Sequence, residues 1–319
     1  MSIEIRPYQS EDLEKVVDVI NDAAQGGSGY RTTADAMKDL FAEPGYSAST
    51  DCFVALVADH IVGVRDVYRR MKKKDPLSIL ESTGAVHSSY QNKGVLEQLI
   101  RRVWRRCSEI AQAAGDPGFI FQVRCDDKDM QKLEILKQLG LTVNRRFAIM
   151  ERPHLDDIDE PILPPGIALL PYRTGVDDRA WHEAYHDAFA DHWGQLGMTY
   201  EQWLYTVGKS DYHPDLNLVA WDDAQIAGFC YCKISGEMSS IRWLGVRPAW
   251  RRRGLGDALT KAGLLALKQA GAKQIKLGVD YESETGPARV YARNGFQVVR
   301  WQLICQRNFT LDEARREAT

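Results

Sequence analysis

The sequence lacks the marks of several protein classes. Its six cysteines, at 52, 107, 125, 230, 232 and 305, form no Cys-x-x-Cys pair, which leaves no zinc ribbon or thioredoxin-like redox motif. Cys230 and Cys232 flank Tyr231 on an expected strand and share one face of it, where neighbours rarely bridge. The expectation is six buried thiols in a reducing cytoplasm. No apolar run approaches the roughly 18 residues that span a bilayer. The densest, Gly263–Leu267, is short, and Met1–Arg6 carry no apolar signal core. Positive charge is not in excess: 41 Lys and Arg face 44 Asp and Glu, a net −3. That balance argues against a polybasic binder of nucleic acid or membrane. Oligomeric state is left open.

What is present is a chain of 319 residues, 44% hydrophobic and 27% charged. That is enough for about two domains at roughly 100–200 residues each. A repeat supports the count. Val219-Ala220 and Ile226-Ala227-Gly228 flank a polar turn, as do Val54-Ala55 and Ile61-Val62-Gly63. Each pair reads as a β-hairpin with a glycine early in its second strand. Val246 to Gly256 aligns with Val86 to Leu96 (254 − 94 = 160), and Tyr291–Phe296 aligns with Leu136–Leu141 (295 − 140 = 155). Three landmarks in one order imply two copies of one fold. The stretch Glu151–Gly166, rich in proline and acids, reads as an extended linker. The division expected is 1–153, a linker at 154–165, and 166–319.

Each half reads as strand, helices, hairpin, strand, helix, strand, helix, strand, an α/β or α+β pattern on a mixed sheet. In the second half, helices are expected over 177–190 and 199–207. Leu255, Ala258, Leu259, Ala262 and Ala266 mark one face of a longer helix that Gly271 ends. Ile275, Leu277 and Val279 alternate as a half-buried strand, and 288–294 is a short helix closed by Gly295.

The chemistry lies in Arg251-Arg252-Arg253-Gly254-Leu255-Gly256, between a strand ending at Val246 and the long helix. Successive amides in such a turn converge on an anion, and the helix N-terminus adds partial positive charge. Glycines let a phosphate approach the backbone. The turn is neither a P-loop, for no Gly-Lys-Ser/Thr follows, nor a dinucleotide fingerprint, for position 259 is Leu.

With Val246-x-Pro248 before it, Arg251-x-x-Gly254-x-Gly256 resembles the acyl-CoA pyrophosphate loop of the GNAT acetyltransferase superfamily. Tyr291-x-x-x-Gly295-Phe296 is similar to that superfamily's closing segment. The duplication resembles the tandem, mycothiol-synthase-like GNAT proteins, and it covers nearly the whole chain. The resemblance implies two tandem GNAT domains, each a mixed, mostly antiparallel sheet with flanking helices, and an N-acetyltransferase using acetyl-CoA on a small-molecule amine. It implies that Leu244, Gly245 and Val246 hold pantetheine by their backbone, and that the amides of Arg252 through Gly256, with Arg251 and Asp257 close by, hold the pyrophosphate. Tyr291 falls where the family tyrosine meets the thioester sulfur. Ser283, in Asp280-Tyr-Glu282-Ser283, replaces the family asparagine toward pantetheine. The strand Ser240–Leu244 lacks the acid that related proteins place there; Glu237, just before the strand, is the nearest acid and the candidate base, with a base from the helical region or a less basic amine as alternatives. His192 and Trp193 fall in a segment found on the acceptor side of double-GNAT proteins. The acids Glu183, Asp187 and Asp191 beside it hint at a cationic acceptor. The first half carries Leu96 for the second glycine, Ser88 for the proline and Leu136 for the tyrosine, so it is expected to be catalytically silent. A non-catalytic acyl-CoA-binding protein is the alternative.

His182-Glu183-x-x-His186 also spells a zinc-peptidase motif, with His192 following. Phe189 stands where the extended pattern needs a glycine, and no Met-turn follows. No metal is expected, His182 and His186 read as a solvated helix face, and a zinc peptidase is a remote alternative.

Overall fold

The computed structural model describes residues 1–25, 31–70, 77–194, 197–234 and 238–317. They form two compact units, Met1–Arg145 with Gln302–Thr319, and Arg146–Trp301.

The first unit runs β1 (Glu4–Pro7), α1 (Leu13–Gln25), α2 (Ala34–Phe41), α3 (Ala48–Asp51), β2 (Cys52–Val57), β3 (His60–Asp66), β4 (Tyr68–Arg70), β5 (Ser78–Ser82) and β6 (Gly84–Val86). It continues through α4 (Val95–Ala113), β7 (Gly118–Asp126) and α5 (Met130–Gln138) to the start of β8 (Thr142–Arg152). Strands β1, β2, β3 and β6 pair antiparallel in that order. β5 runs parallel to β7 only as far as Ser82 opposite Val123.

The second unit takes in β8 from residue 146, then β9 (Ile167–Pro171), α6 (Asp178–Ala188), α7 (Tyr200–Val207), β10 (Asn217–Asp222), β11 (Gln225–Lys233) and β12 (Met238–Val246). There follow α8 (Leu255–Gln269), β13 (Gln274–Asp280), α9 (Pro287–Arg293) and the start of β14 (Gln297–Thr310). A last helix, α10 (Leu311–Glu317), belongs to the first unit. The order β8-β13-β12-β11-β10-β9 is antiparallel except for β12 beside β13.

The compact units do not follow the expected 1–153 and 166–319 division. Residues 147–152 of β8 pair with β13 inside the second unit, and residues 302–310 of β14 pair with β7 inside the first. Each unit thus completes its sheet with the strand that sequence order assigns to the other half. An apolar strand can join either sheet, whether it alternates as β8 does from Ala148 to Arg152 or buries a run as β14 does at Leu303–Cys305, so the sequence pattern does not reveal the exchange.

Helix α8 shows how the pattern becomes core. Leu255, Ala258, Leu259, Ala262, Leu264 and Leu267 are buried, each leucine contributing about 1.5–3 kcal/mol. A side chain at Gly263 would put its Cβ 2.6 Å from the Cys230 sulfur, so glycine lets the helix press onto the sheet. A second core stacks Trp181 on Trp203 with centroids 3.7 Å apart. Both are fully buried, core rather than ligand clamp. All six cysteines are free and buried. No helix among the described residues is long and apolar enough to cross a membrane.

Candidate active site

Strands β12 and β13 share a ladder only from Met238 opposite Gln274 to Ser240 opposite Lys276. Beyond it, β13 turns to β8 while β12 stays with β11. The register of β12 passes from Ile241 to Trp243 opposite Cys232 and Tyr231, which leaves Arg242 as an extra residue. Such a bulge bends its strand, and here it opens a wedge between β12 and β13. The amide of Arg247 donates to Ala227 O on β11. Alternation then points the amides of Val246 and Leu244 the other way, into the wedge. The Val246 carbonyl there accepts Arg251 Nε at 3.1 Å.

A 3₁₀ turn, Pro248–Trp250, leads from β12 to the loop. Arg252 and Gly254 both take positive φ, 61° and 86°, and Gly254 is the N-cap of α8. Among the described residues, no backbone acceptor takes the amides of Arg252, Arg253, Gly254, Leu255 or Gly256. The next two, Asp257 and Ala258, both donate to Gly254 O at 3.1 Å. Unpaired successive amides at a helix N-terminus are an anion cradle. Among the described residues beyond its chain neighbours, a Cβ on Gly256 would meet only Val246 Cγ2, at 3.8 Å. Packing therefore leaves that position open, and glycine keeps the approach to the amides clear.

The three arginines divide. Arg252 and Arg253 are exposed and flank the cradle. Arg251 is spent on the protein. Its Nη1 reaches Asp191 at 3.0 Å and its Nη2 donates to Ala188 O at 3.0 Å. It fixes the loop against the end of α6. Arg247 does the same four residues earlier, bonding Asp187 at 2.7 Å. Two of the three acids read as a cationic-acceptor signal are thus neutralised by loop arginines, and only exposed Glu183 is left of that reading. These clamps were missed in the sequence. Their one trace is that 187/191 and 247/251 share a spacing of four.

The side chain of Leu255 is core, so only its amide faces the cradle. Gly245 is set by packing, because a Cβ there would come within 2.6 Å of the Phe229 ring and 2.9 Å of Ala188. The Asp257 carboxylate accepts from Asn294 Nδ2 at 2.8 Å and pairs with Lys261 at 3.2 Å. That bond ties α9 to the first turn of α8. Tyr291, on α9, is buried and packs edge-on against Phe296. Among the described residues its hydroxyl has no hydrogen-bond partner. Burial, with Cys230 and Cys232 near it, raises its pKa well above that of an ordinary phenol. Ser283 Oγ lies 3.0 Å from Thr285 Oγ1 in the turn after β13. His192 and Trp193 pack around Phe147 with centroids 6.2 Å away, and His192 Nδ1 bonds Trp193 O at 2.7 Å. Glu237 lies outside the described residues.

His182 and His186 are not a solvated face. They are half-buried, and their Nε2 atoms lie 2.7 and 2.8 Å from one carbonyl, that of Met198. Burial lowers the pKa of His182. Among the described residues no group of three potential ligands converges on a metal position.

A family model described as an acetyltransferase (GNAT) domain matches residues 214–298. The chain is 33% identical over 164 residues to the mycothiol acetyltransferase of Catenulispora acidiphila, a match that covers 49% of this chain. It spans about half of that relative, 52% of its length. Against the mycothiol acetyltransferase of Salinispora tropica, identity is 35% over 234 residues, covering 68% of this chain and 69% of the relative. Among solved structures, a GCN5-related N-acetyltransferase from Sphaerobacter thermophilus superposes with a TM-score of 0.78 at 23% identity, over 97% of this chain and 96% of that one.

Proposed function

The chain belongs to the tandem GNAT acetyltransferase family that contains the mycothiol acetyltransferases, and from that premise we propose that its second unit moves an acetyl group from acetyl-CoA to a primary amine of a small molecule. The observation that carries the reading is the run of unpaired amides from Arg252 to Gly256 beside the open edge of β12. The diphosphate of coenzyme A suits the cradle, with Arg252 and Arg253 as counter-charges. The pantetheine arm suits the wedge, where an extended chain adds to a free strand edge.

The amine attacks the thioester carbonyl directly in a ternary complex. Its nitrogen lone pair forms the C–N bond, and the carbonyl oxygen takes negative charge that the Leu244 or Val246 amide stabilises. The C–S bond then breaks. The leaving thiolate takes the proton of Tyr291, whose raised pKa keeps the phenol protonated at neutral pH. The ammonium proton leaves to a base or to water, and Tyr291 is reprotonated from solvent. No acyl-enzyme is required, in keeping with cysteines that are buried. Loss of the acidic limb of the pH–rate profile in a Glu237→Gln variant would assign the base to that residue. The acceptor side is set by His192 and Trp193.

The test is thiol release from acetyl-CoA across a panel of amines, with mycothiol-precursor, aminoglycoside, polyamine and peptide N-terminal amines as arms. Turnover with at least one amine is expected. Background release from all of them, with coenzyme A still bound, favours a binding protein without catalysis.

A further inference from the structure

The first unit repeats the same slot with different chemistry. Its loop keeps the backbone form: Asn92 and Gly94 take φ of 61° and 78°, and Gly94 caps α4. The amide of His87 donates to Val62 O as that of Arg247 does to Ala227 O. β6 pairs with β3, while the β5–β7 ladder ends at Ser82 opposite Val123. A cavity of about 110 Å³ lies in this opening, lined by residues of β6, the 90–96 loop and α5.

Into it faces Arg65. Gly63 and Gly228 correspond, since a Cβ on either would press on the helix above, within 2.9 Å of Leu99 or 3.0 Å of Leu259. Two residues on, the second unit has Cys230 and the first has Arg65. Arg65 is 1% exposed. Its Nη1 lies within 3.2 Å of Ser82 Oγ, but Nε and Nη2 have no partner among the described residues. The neighbouring acids make their hydrogen bonds elsewhere, although the charge of Asp66 still acts on Arg65. Asp66 accepts from the amide and hydroxyl of Thr83 at 2.9 Å. Glu81 is held by Arg70 and Arg124. Of the carboxylates in the cavity wall, Asp129 caps α5 through the Lys132 amide and Asp126 accepts from the Lys128 amide. Lys132 lines the same cavity, close enough to Arg65 that the two cations repel.

A buried guanidinium with two idle donors is costly unless an anion meets it. We propose that this cavity is an oxyanion-binding site, with Arg65 Nε and Nη2 and the Lys132 ammonium as its donors, and that it takes a small carboxylate or phosphate. The paired N–H groups of a guanidinium suit the two oxygens of either group. The site stands apart from the transferase reading of the second unit. The anion comes either as a free ion or as the charged end of a larger carrier.

The experiment is calorimetric and thermal titration of the full chain with inorganic phosphate, succinate and coenzyme A, in the wild type, Arg65→Met, Lys132→Gln and Gly256→Leu. Binding of at least one anion is expected, retained in Gly256→Leu and weakened about tenfold or more in Arg65→Met and Lys132→Gln. Without anion, Arg65→Met is expected to melt at or above the wild-type temperature. A response to phosphate or succinate identifies a free ion. A response to coenzyme A alone that persists in Gly256→Leu and is lost when Arg65→Met is added to it identifies a carrier. Absence of any anion response in Gly256→Leu overturns the proposal, as does a response there that Arg65→Met leaves unchanged. Should Arg65→Met not fold, Lys132→Gln and Arg65→Lys decide the question, since both must weaken binding.

Discussion

Gly256 separates folding from function at a single residue. The protein leaves room for a Cβ there, which among the described residues beyond its chain neighbours would meet Val246 at 3.8 Å. Replacing a helical glycine by leucine favours the helix by about 0.5–1 kcal/mol. The expected Gly256→Leu protein melts no lower than wild type yet binds acetyl-CoA at least about a hundredfold more weakly, because a side chain then covers the amides. Calorimetry with acetyl-CoA, beside a melting curve, checks both halves, and unweakened binding would remove the cradle from the site. Tyr291 gives the complementary case. Among the described residues its hydroxyl has no partner, and its pKa is raised by burial. Tyr291→Phe is expected to lower kcat by about 10²-fold or more while changing the KM for acetyl-CoA little, as steady-state kinetics would show. Gly254, Gly256 and Tyr291 were legible in the sequence because backbone access and a phenol are local properties of a motif. The role of Arg251 was not, because its guanidinium reaches Val246, Ala188 and Asp191 only after α6 has packed.

Helices and caps followed from periodicity at the scale of elements. α8 begins at its glycine cap, and α6 and α7 fall within a residue or two of the expected spans. The wedge did not follow, since paired and unpaired parts of β12 have the same composition and only the bulge at Arg242 marks the change. The loop depends on α6 through Arg251, whose hydrogen bonds carry charge and end on two carbonyls. Arg251→Met is expected to cost about 1.5–3 kcal/mol of stability and to weaken acyl-donor binding by releasing the loop from α6, measured by denaturant titration and calorimetry. The histidines on α6 add a pH effect. Burial lowers the folded pKa of His182 below its ordinary value near 6.5. Above that value neither state holds the proton, so stability is full. As pH falls below it, the unfolded chain protonates first and stability declines toward the folded pKa. A His182→Gln variant should lose less stability than wild type between about pH 6.5 and 5, above the carboxylate range. An unchanged slope in urea titrations at the two pH values would deny His182 this role.

For the molecule as a whole, the two-copy design was legible from three landmarks at nearly constant offset, whereas the allocation of strands was not. β8 alternates from Ala148 to Arg152 while β14 buries Leu303, Ile304 and Cys305 in a row, and neither pattern says which sheet the strand joins. The exchange decides how the chain can be cut. A fragment starting at 166 omits Phe147–Arg152, which pair with Asp280–Ile275. It also omits Ala148 and Met150 from the core that holds Leu277 and Val279. β13 would then present a bare edge with apolar neighbours, a template for aggregation. Residues 146–301 keep that strand and match the compact unit. The expected outcome is that 166–319 is recovered mainly as aggregate and 146–301 as soluble, cooperatively melting protein, compared by size-exclusion chromatography and circular dichroism. Equal solubility of the two fragments would mean that residues 147–152 are dispensable to the second sheet, and that the repeat boundary, not the exchanged strand, defines the folding unit.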